Sequence, residues 1–176
     1  MTHQILFAGF GGQGILTMGK IAALAGLADG KEVSWLPSYG PEMRGGTANC
    51  SVIVSDEPIC SPLITAPEIL VAMNLPSVMK FESAIVPGGK LFYDSTLFTP
   101  QLTRTDIEVY DIPASKIAEE NGLHSSANII LLGNIYKHVP FVSEEGLKNA
   151  FVKMCSGKKE RFLEPNLKAI EIGRNY

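Results

Sequence analysis

The sequence predicts a single α/β domain of Rossmann-like type, with a mainly parallel sheet covered by helices, and three observations support this. The chain opens on a short apolar run, Ile5 to Ala8, which meets a cluster of glycines and then an apolar segment of helical character. Strand-like and helix-like segments then alternate through most of the 176 residues. No internal repeat, low-complexity tract or linker interrupts them, so residues 1–176 read as one domain.

Ile5 to Ala8 is expected to be a buried strand, because it is continuously apolar and ends in a glycine turn. Gly14 to Ala28 reads as a helix that is apolar on most sides, closed at Asp29-Gly30 by a residue suited to a left-handed cap. Glu32 to Leu36 is a second strand, followed by a loop dense in proline and glycine through Thr47. Ala48 to Ser55 alternates as a strand, Pro58 to Pro67 is a connection, and Ile69 to Met73 is another buried strand. A helix from Leu75 to Ala84 tolerates Pro76 in its first turn, with Asn74 as its expected cap. Lys90 to Tyr93 and Ile107 to Ile112 are further strands, separated by a surface excursion over Thr96 to Thr105. Helices are expected over Pro113 to Asn121, after Ser125 or Ser126, over Ser143 to Met154, and in the tail from Pro165 to Gly173.

Composition excludes several functions. A formal net charge of −3 gives no basic footprint for nucleic acid. Cys50, Cys60 and Cys155 are scattered and form no C-x-x-C, so they read as reduced thiols rather than a disulfide frame or cluster site. The apolar start has no basic leader, and Gly14 to Ala28 is interrupted by Lys20 and too short to span a bilayer. These features predict a cytoplasmic protein with no membrane or nucleic-acid partner. No metal motif, no Ser-His-Asp order and no carboxylate pair stands out, and no catalytic residue is assigned.

The candidate site is the glycine turn. Gly9, Gly11 and Gly14 fall at G-x-G-x-x-G spacing, with Gly12 between them. Such a turn lets a phosphate approach the first amides of the following helix, where the helix dipole favours an anion. A dinucleotide site would also need an acid at the end of the second strand to hold the ribose hydroxyls. Here that strand ends Ser34-Trp35-Leu36-Pro37, which argues against NAD. Two readings remain: the glycines pack strand against helix, or they accept a phosphate or a partner's loop. Arg44-Gly45-Gly46 is the second constellation, in which the arginine fork either clamps a phosphate or carboxylate, fixes a subunit contact, or lies in water.

Taken together, Gly9-Phe10-Gly11-Gly12-Gln13-Gly14 and Tyr39-Gly40-Pro41-Glu42-Met43-Arg44-Gly45-Gly46-Thr47 resemble the gamma subunit of 2-oxoacid:ferredoxin oxidoreductases, of the 2-oxoglutarate or branched-chain type. Asn74 after a strand, Pro87-Gly88-Gly89 before the next, and Asn128 with Leu132-Gly133 extend the likeness over nearly the whole chain. The resemblance implies a complex that converts a 2-oxoacid to an acyl-CoA and CO2 and reduces ferredoxin. In that family thiamine diphosphate and iron–sulfur clusters sit on alpha and beta catalytic subunits, and a ferredoxin-like delta subunit is present in some complexes. This chain would then be non-catalytic by itself. CoA is its candidate ligand, through Gly9, Gly11, Gly12, Gly14, Arg44, Gly45 and Gly46, the alternative being intersubunit use of the same loops. Tyr39, Pro41 and Met43 are the expected interface residues. The smaller subunit of an indolepyruvate oxidoreductase and a free-standing nucleotide-binding protein are the rival readings.

Overall fold

The computed structural model describes residues 1–39 and 47–176, with Tyr39 and Lys158 placed by their backbone alone. In these residues six strands form one sheet: β1 (Thr2–Phe10), β2 (Glu32–Tyr39), β3 (Thr47–Ser55), β4 (Ile69–Ala72), β5 (Lys90–Asp94) and β6 (Glu108–Ile112). The helices are α1 (Ile15–Ala28), α2 (Leu75–Phe81), α3 (Ala114–Glu120), α4 (Ala127–His138), α5 (Glu144–Met154) and α6 (Leu163–Asn175), with 3-10 turns at Glu82–Ala84 and Gly157–Phe162.

The strand order is β2-β3-β1-β4-β5-β6. The pairs β1–β4, β4–β5 and β5–β6 are parallel, whereas β3 runs antiparallel to both neighbours. The sheet is therefore mainly parallel, as predicted, with one reversed strand that the alternation of elements does not reveal. The second strand runs past Leu36 to Tyr39 and contains Pro37. A proline lacks the amide a central ladder needs, but β2 is an edge strand, where the loss is tolerated.

The two faces of the sheet are unequally covered. On one, Ile5, Phe7, Val52, Val54, Val71 and Phe92 pack beneath α1, α3, α4, α5 and α6 in the larger core. Phe7 and Phe92 are fully buried, each worth about 1.5–3 kcal/mol of removed apolar surface. On the other face Leu6, Ala8, Leu70, Ala72, Leu91 and Tyr93 are covered, among the described residues, by α2, the turn after it and the excursion before β6. The buried Glu82 ties that excursion down: its Oε1 accepts from the amides of Thr103 at 2.7 Å and Arg104 at 2.8 Å. α1 is joined to α5 through Asp29, which accepts from the amide and hydroxyl of Ser143, itself the cap of α5.

Candidate functional site

The glycine turn lies where the sequence places it, at the carboxyl end of β1 and the start of α1. Each glycine has its own reason to be there. A side chain on Gly9 would press on Ile15 Cδ1 at 2.7 Å and Gln13 Oε1 at 2.8 Å, so its absence lets α1 sit close to β1. Gly12 and Gly14 hold φ of +98° and +78°, in the left-handed region that other L residues rarely adopt. Above Gly14 lies the amide of Asn128, which donates to the Gly14 carbonyl at 3.3 Å.

Gln13 locks the turn. Its Oε1 accepts from the Phe10 amide at 2.7 Å, and its Nε2 donates to the Met73 carbonyl at 2.8 Å. One side chain thus fastens the loop to itself and to the end of β4. Sequence reasoning gave Gln13 no role, because no spacing rule links it to a carbonyl sixty residues on.

Two long helices begin here without a side-chain cap. Gly14 at the start of α1 has no side chain to offer, and Ser126 at the start of α4 makes no capping bond. Neither helix carries an acid in its first turn. Ser126 takes the expected cap position, but through its backbone: its carbonyl accepts from the amides of Ile129 and Ile130. Asn74, in contrast, caps α2 as expected, accepting from the Ser77 amide at 2.8 Å.

Two hollows meet at the glycine turn, and the second of them lies between these helix starts. One, of about 480 Å³, is lined by Phe10, Gly11, Gly12, Gly14, Leu16 and Ala48, among others. The other, of about 420 Å³, is lined by Gly12, Gln13, Thr17, Ser125 and Asn128, with His124 the one ionisable side chain along it among the described residues. Backbone amides, hydroxyls and carboxamides, positive helix ends and, among the described residues, no carboxylate suit an anion such as a phosphate.

Arg44, Gly45 and Gly46 lie outside the described residues, as do Pro41 and Met43. The strands on either side bring the ends of that stretch to the glycine turn: Thr47 pairs with Phe10, and Tyr39 with Ala48.

The argument against NAD gains a geometric part. In a dinucleotide fold the second strand lies beside the first, so its terminal acid reaches the ribose. Here β3 separates β2 from β1, which puts β2 two strand spacings, roughly 10 Å, from the turn. Among the described residues no group of three or more His, Cys, Asp or Glu is arranged to hold a metal, and the three cysteines lie apart. Cys50 is wedged between β3 and α1, and burial pushes its thiol up to about 12. No helix among the described residues is long and apolar enough to cross a membrane.

Comparison with known proteins adds to this geometry. The family model for pyruvate ferredoxin/flavodoxin oxidoreductase matches residues 4–176. Ketoisovalerate oxidoreductase subunit VorA of Methanothermobacter thermautotrophicus is 37% identical over 174 residues, which is 98% of this chain but 36% of the relative, so the chain spans about a third of that protein. 2-Oxoglutarate synthase subunit KorC of Methanocaldococcus jannaschii is 36% identical over 99% of this chain and 95% of its own length. A subunit of the indolepyruvate oxidoreductase of Archaeoglobus fulgidus is more distant, at 23% over 99% and 95%.

Among solved structures, the gamma subunit of a keto/oxoacid ferredoxin oxidoreductase from Geobacter sulfurreducens superimposes with a TM-score of 0.85 at 32% identity, over 99% of this chain and 95% of that one. The 2-oxoglutarate:ferredoxin oxidoreductase of Magnetococcus marinus, solved with 2-oxoglutarate, coenzyme A and succinyl-CoA bound, gives a TM-score of 0.87 at 29% identity, over 99% of this chain and 30% of that one.

Proposed function

Because the chain belongs to the pyruvate ferredoxin/flavodoxin oxidoreductase family, we propose that it works as the gamma-type subunit of a 2-oxoacid:ferredoxin oxidoreductase acting in the cytoplasm. In the assembled enzyme a 2-oxoacid and CoA become an acyl-CoA and CO2, and the electron pair passes to ferredoxin. The observation that carries this reading is the end-to-end likeness to a 2-oxoglutarate synthase subunit of nearly the same length. That relative and the ketoisovalerate subunit favour 2-oxoglutarate or a branched-chain 2-oxoacid as substrate over indolepyruvate, whose relative is more distant.

Thiamine diphosphate and the clusters are assigned to partner chains, since the three cysteines here do not gather into a cluster site. CoA suits this chain better. When bound, it supplies the thiol that accepts the acyl group. The glycine turn offers room and unshielded helix amides for a phosphate, with Gly11, Gly12 and Gly14 at the wall and Arg44 as the charged partner we assign to it. Gln13 and Asn128 hold that wall in shape rather than touching the reacting atoms.

The test is to purify the native complex through a tag on this chain, measure its mass, assay it on a panel of 2-oxoacids, and titrate CoA. Losing a charged hydrogen bond costs about 1.5–3 kcal/mol, so Arg44→Ala is expected to weaken CoA by about ten- to hundredfold. Unchanged CoA affinity in a complex of unchanged mass would remove the CoA role. A chain that purifies with no partner and shows no 2-oxoacid-dependent activity would remove the subunit reading itself.

A further inference from the structure

The second hollow has a wall that the glycine turn does not supply. α6 starts beside α4, so Pro165 and Asn166 of its first turn line the same hollow as Ser126 and Asn128. Phe162, which closes the 3-10 turn Gly157–Phe162, lines it as well. That phenylalanine is 45% exposed, and the guanidinium of Arg161 lies over its ring, 4.8 Å from the centroid. An aromatic ring left in water at a hollow, with a cation held against it, is a stacking platform beside a positive charge.

Charge is gathered around this wall. Residues 148–168 hold six of the fifteen lysines and arginines and two of the eighteen acids, a net +4 against −7 for the rest of the chain. Lys148, Lys153, Lys159, Arg161 and Lys168 are all exposed, and none of them forms an ion pair among the described residues. Elsewhere Lys31, Lys90, Arg104, Lys116 and Arg174 each have a carboxylate at ion-pair distance. A concentration of unpaired cations repels itself and raises the local concentration of anions.

Taking the CoA reading above as its premise, we infer that Lys159, Arg161 and Phe162 form the subsite for the phosphorylated adenosine end of CoA. The base stacks on Phe162 and the ribose 3′-phosphate meets the two cations. The chemistry of the wall selects this ligand. A base offers a π face to an exposed aromatic ring. A phosphate monoester carries about −1.5 to −2 charge at pH 7, which unpaired cations match, and the arginine fork fits its oxygens. The hollow, of about 420 Å³, lies within the roughly 300–1,000 Å³ of small-molecule sites. An acidic peptide would answer the charges but leave the ring and the hollow unfilled. CoA answers all three, with its diphosphate at the glycine turn on one side of the hollow and its 3′-phosphate beside the base on the other. This wall therefore makes the site selective for CoA over 3′-dephospho-CoA.

The experiment uses the native complex purified through a tag on this chain, carrying Lys159→Ala, Arg161→Ala or both. Lys148→Ala is the control, since it removes the same charge from the same basic region but lines the separate groove between α5 and α6. KM is measured with CoA and with 3′-dephospho-CoA, and native mass reports assembly. The wild type and the control are expected to favour CoA by about tenfold or more, the worth of a charge-assisted hydrogen bond. The double variant is expected to lose that preference, its KM rising for CoA and staying as it was for 3′-dephospho-CoA. Phe162→Ala is expected to raise both values by about fivefold or more, because the base is common to both ligands. A wild type that does not tell the two ligands apart, or a double variant that discriminates as the wild type does, overturns the subsite; CoA affinity still weakened by Arg44→Ala then leaves the CoA reading intact. CoA affinity unmoved by Arg44→Ala and by these variants alike removes the CoA reading as well. A double variant that sheds its partner chains makes the basic wall a protein contact and overturns the choice of ligand.

Discussion

Asn128 and Gly14 stand 114 residues apart in sequence and in direct contact in the fold: the carboxamide of Asn128 occupies the space where a Gly14 side chain would be and donates to the Gly14 carbonyl. This contact joins the starts of α1 and α4, two uncapped helices that face the second hollow. The glycine turn is thus held from both sides, by Gln13 against β4 and by Asn128 against α4.

Gly14→Ala should therefore be costly for two reasons. The backbone holds φ at +78°, which an L side chain resists, and the new methyl meets the Asn128 amide. We expect a loss of about 1–3 kcal/mol. Gly12→Ala shares the positive φ but opens onto empty space, and should cost only about 1 kcal/mol. Urea unfolding of the two variants separates these terms; equal losses would mean that Asn128 does not crowd Gly14.

A second pair of glycines binds α4 to α6. A methyl on Gly173 would strike the Ile130 carbonyl, and one on Gly133 the Ile170 carbonyl, so the two helices touch backbone to backbone. Here the obstacle is main chain, which cannot rotate away as a side chain can. Gly133→Ala and Gly173→Ala should each destabilise the chain by about 1–3 kcal/mol or more. The double variant should cost less than the sum, because the first methyl already parts the helices. Additive losses in a denaturant series would show that the two glycines act independently.

What could be read from the sequence divides along physical lines. Ile69 to Met73 and Ile5 to Ala8 announce buried strands because both faces of a central strand are apolar, and this is a local property. Strand order is not local: nothing in Ala48 to Ser55 says that it inserts beside β1 and displaces β2. Pro37 suggested an end at Leu36, and only the edge position of β2 explains why the strand continues. The spacing of Gly9, Gly11 and Gly14 marked the turn, but the side chains that fix it, Gln13 and Asn128, act through carbonyls distant in sequence. Glu82 was invisible for the same reason, since its partners are loop amides.

Cys50 should be unreactive in the folded protein. Its thiol is fully buried between β3 and α1, and burial pushes its pKa up to about 12, so almost no thiolate exists at pH 8. Cys155 is also buried, whereas Cys60 is exposed. A disulfide reagent at pH 8 should titrate one thiol per chain quickly and all three only after unfolding. Rapid modification of a second thiol in the native protein would show that this part of the core opens readily.

His138 supplies a pH dependence of defined sign. Its ring packs on Tyr110, with centroids 4.2 Å apart, and lies 6.1 Å from Phe92. Burial, then the charges of Lys137 and Lys90, lower its pKa beneath the ordinary 6.5, with Glu108 opposing. The unfolded chain therefore takes up this proton at a higher pH than the folded one. Between the two values the unfolded state holds more protons, so stability falls as the pH drops through about 6.5 and levels off once the folded histidine is also charged. Asp56, held down at about 2 by Lys31 and the amino terminus, and Glu68, lowered by His3, titrate well below this window and do not mask it. In His138→Gln the glutamine cannot titrate, so its melting temperature should fall less than the wild type's between pH 7.5 and pH 5.5. Parallel melting curves for the two proteins over that range would show that the ring's protonation is not coupled to folding.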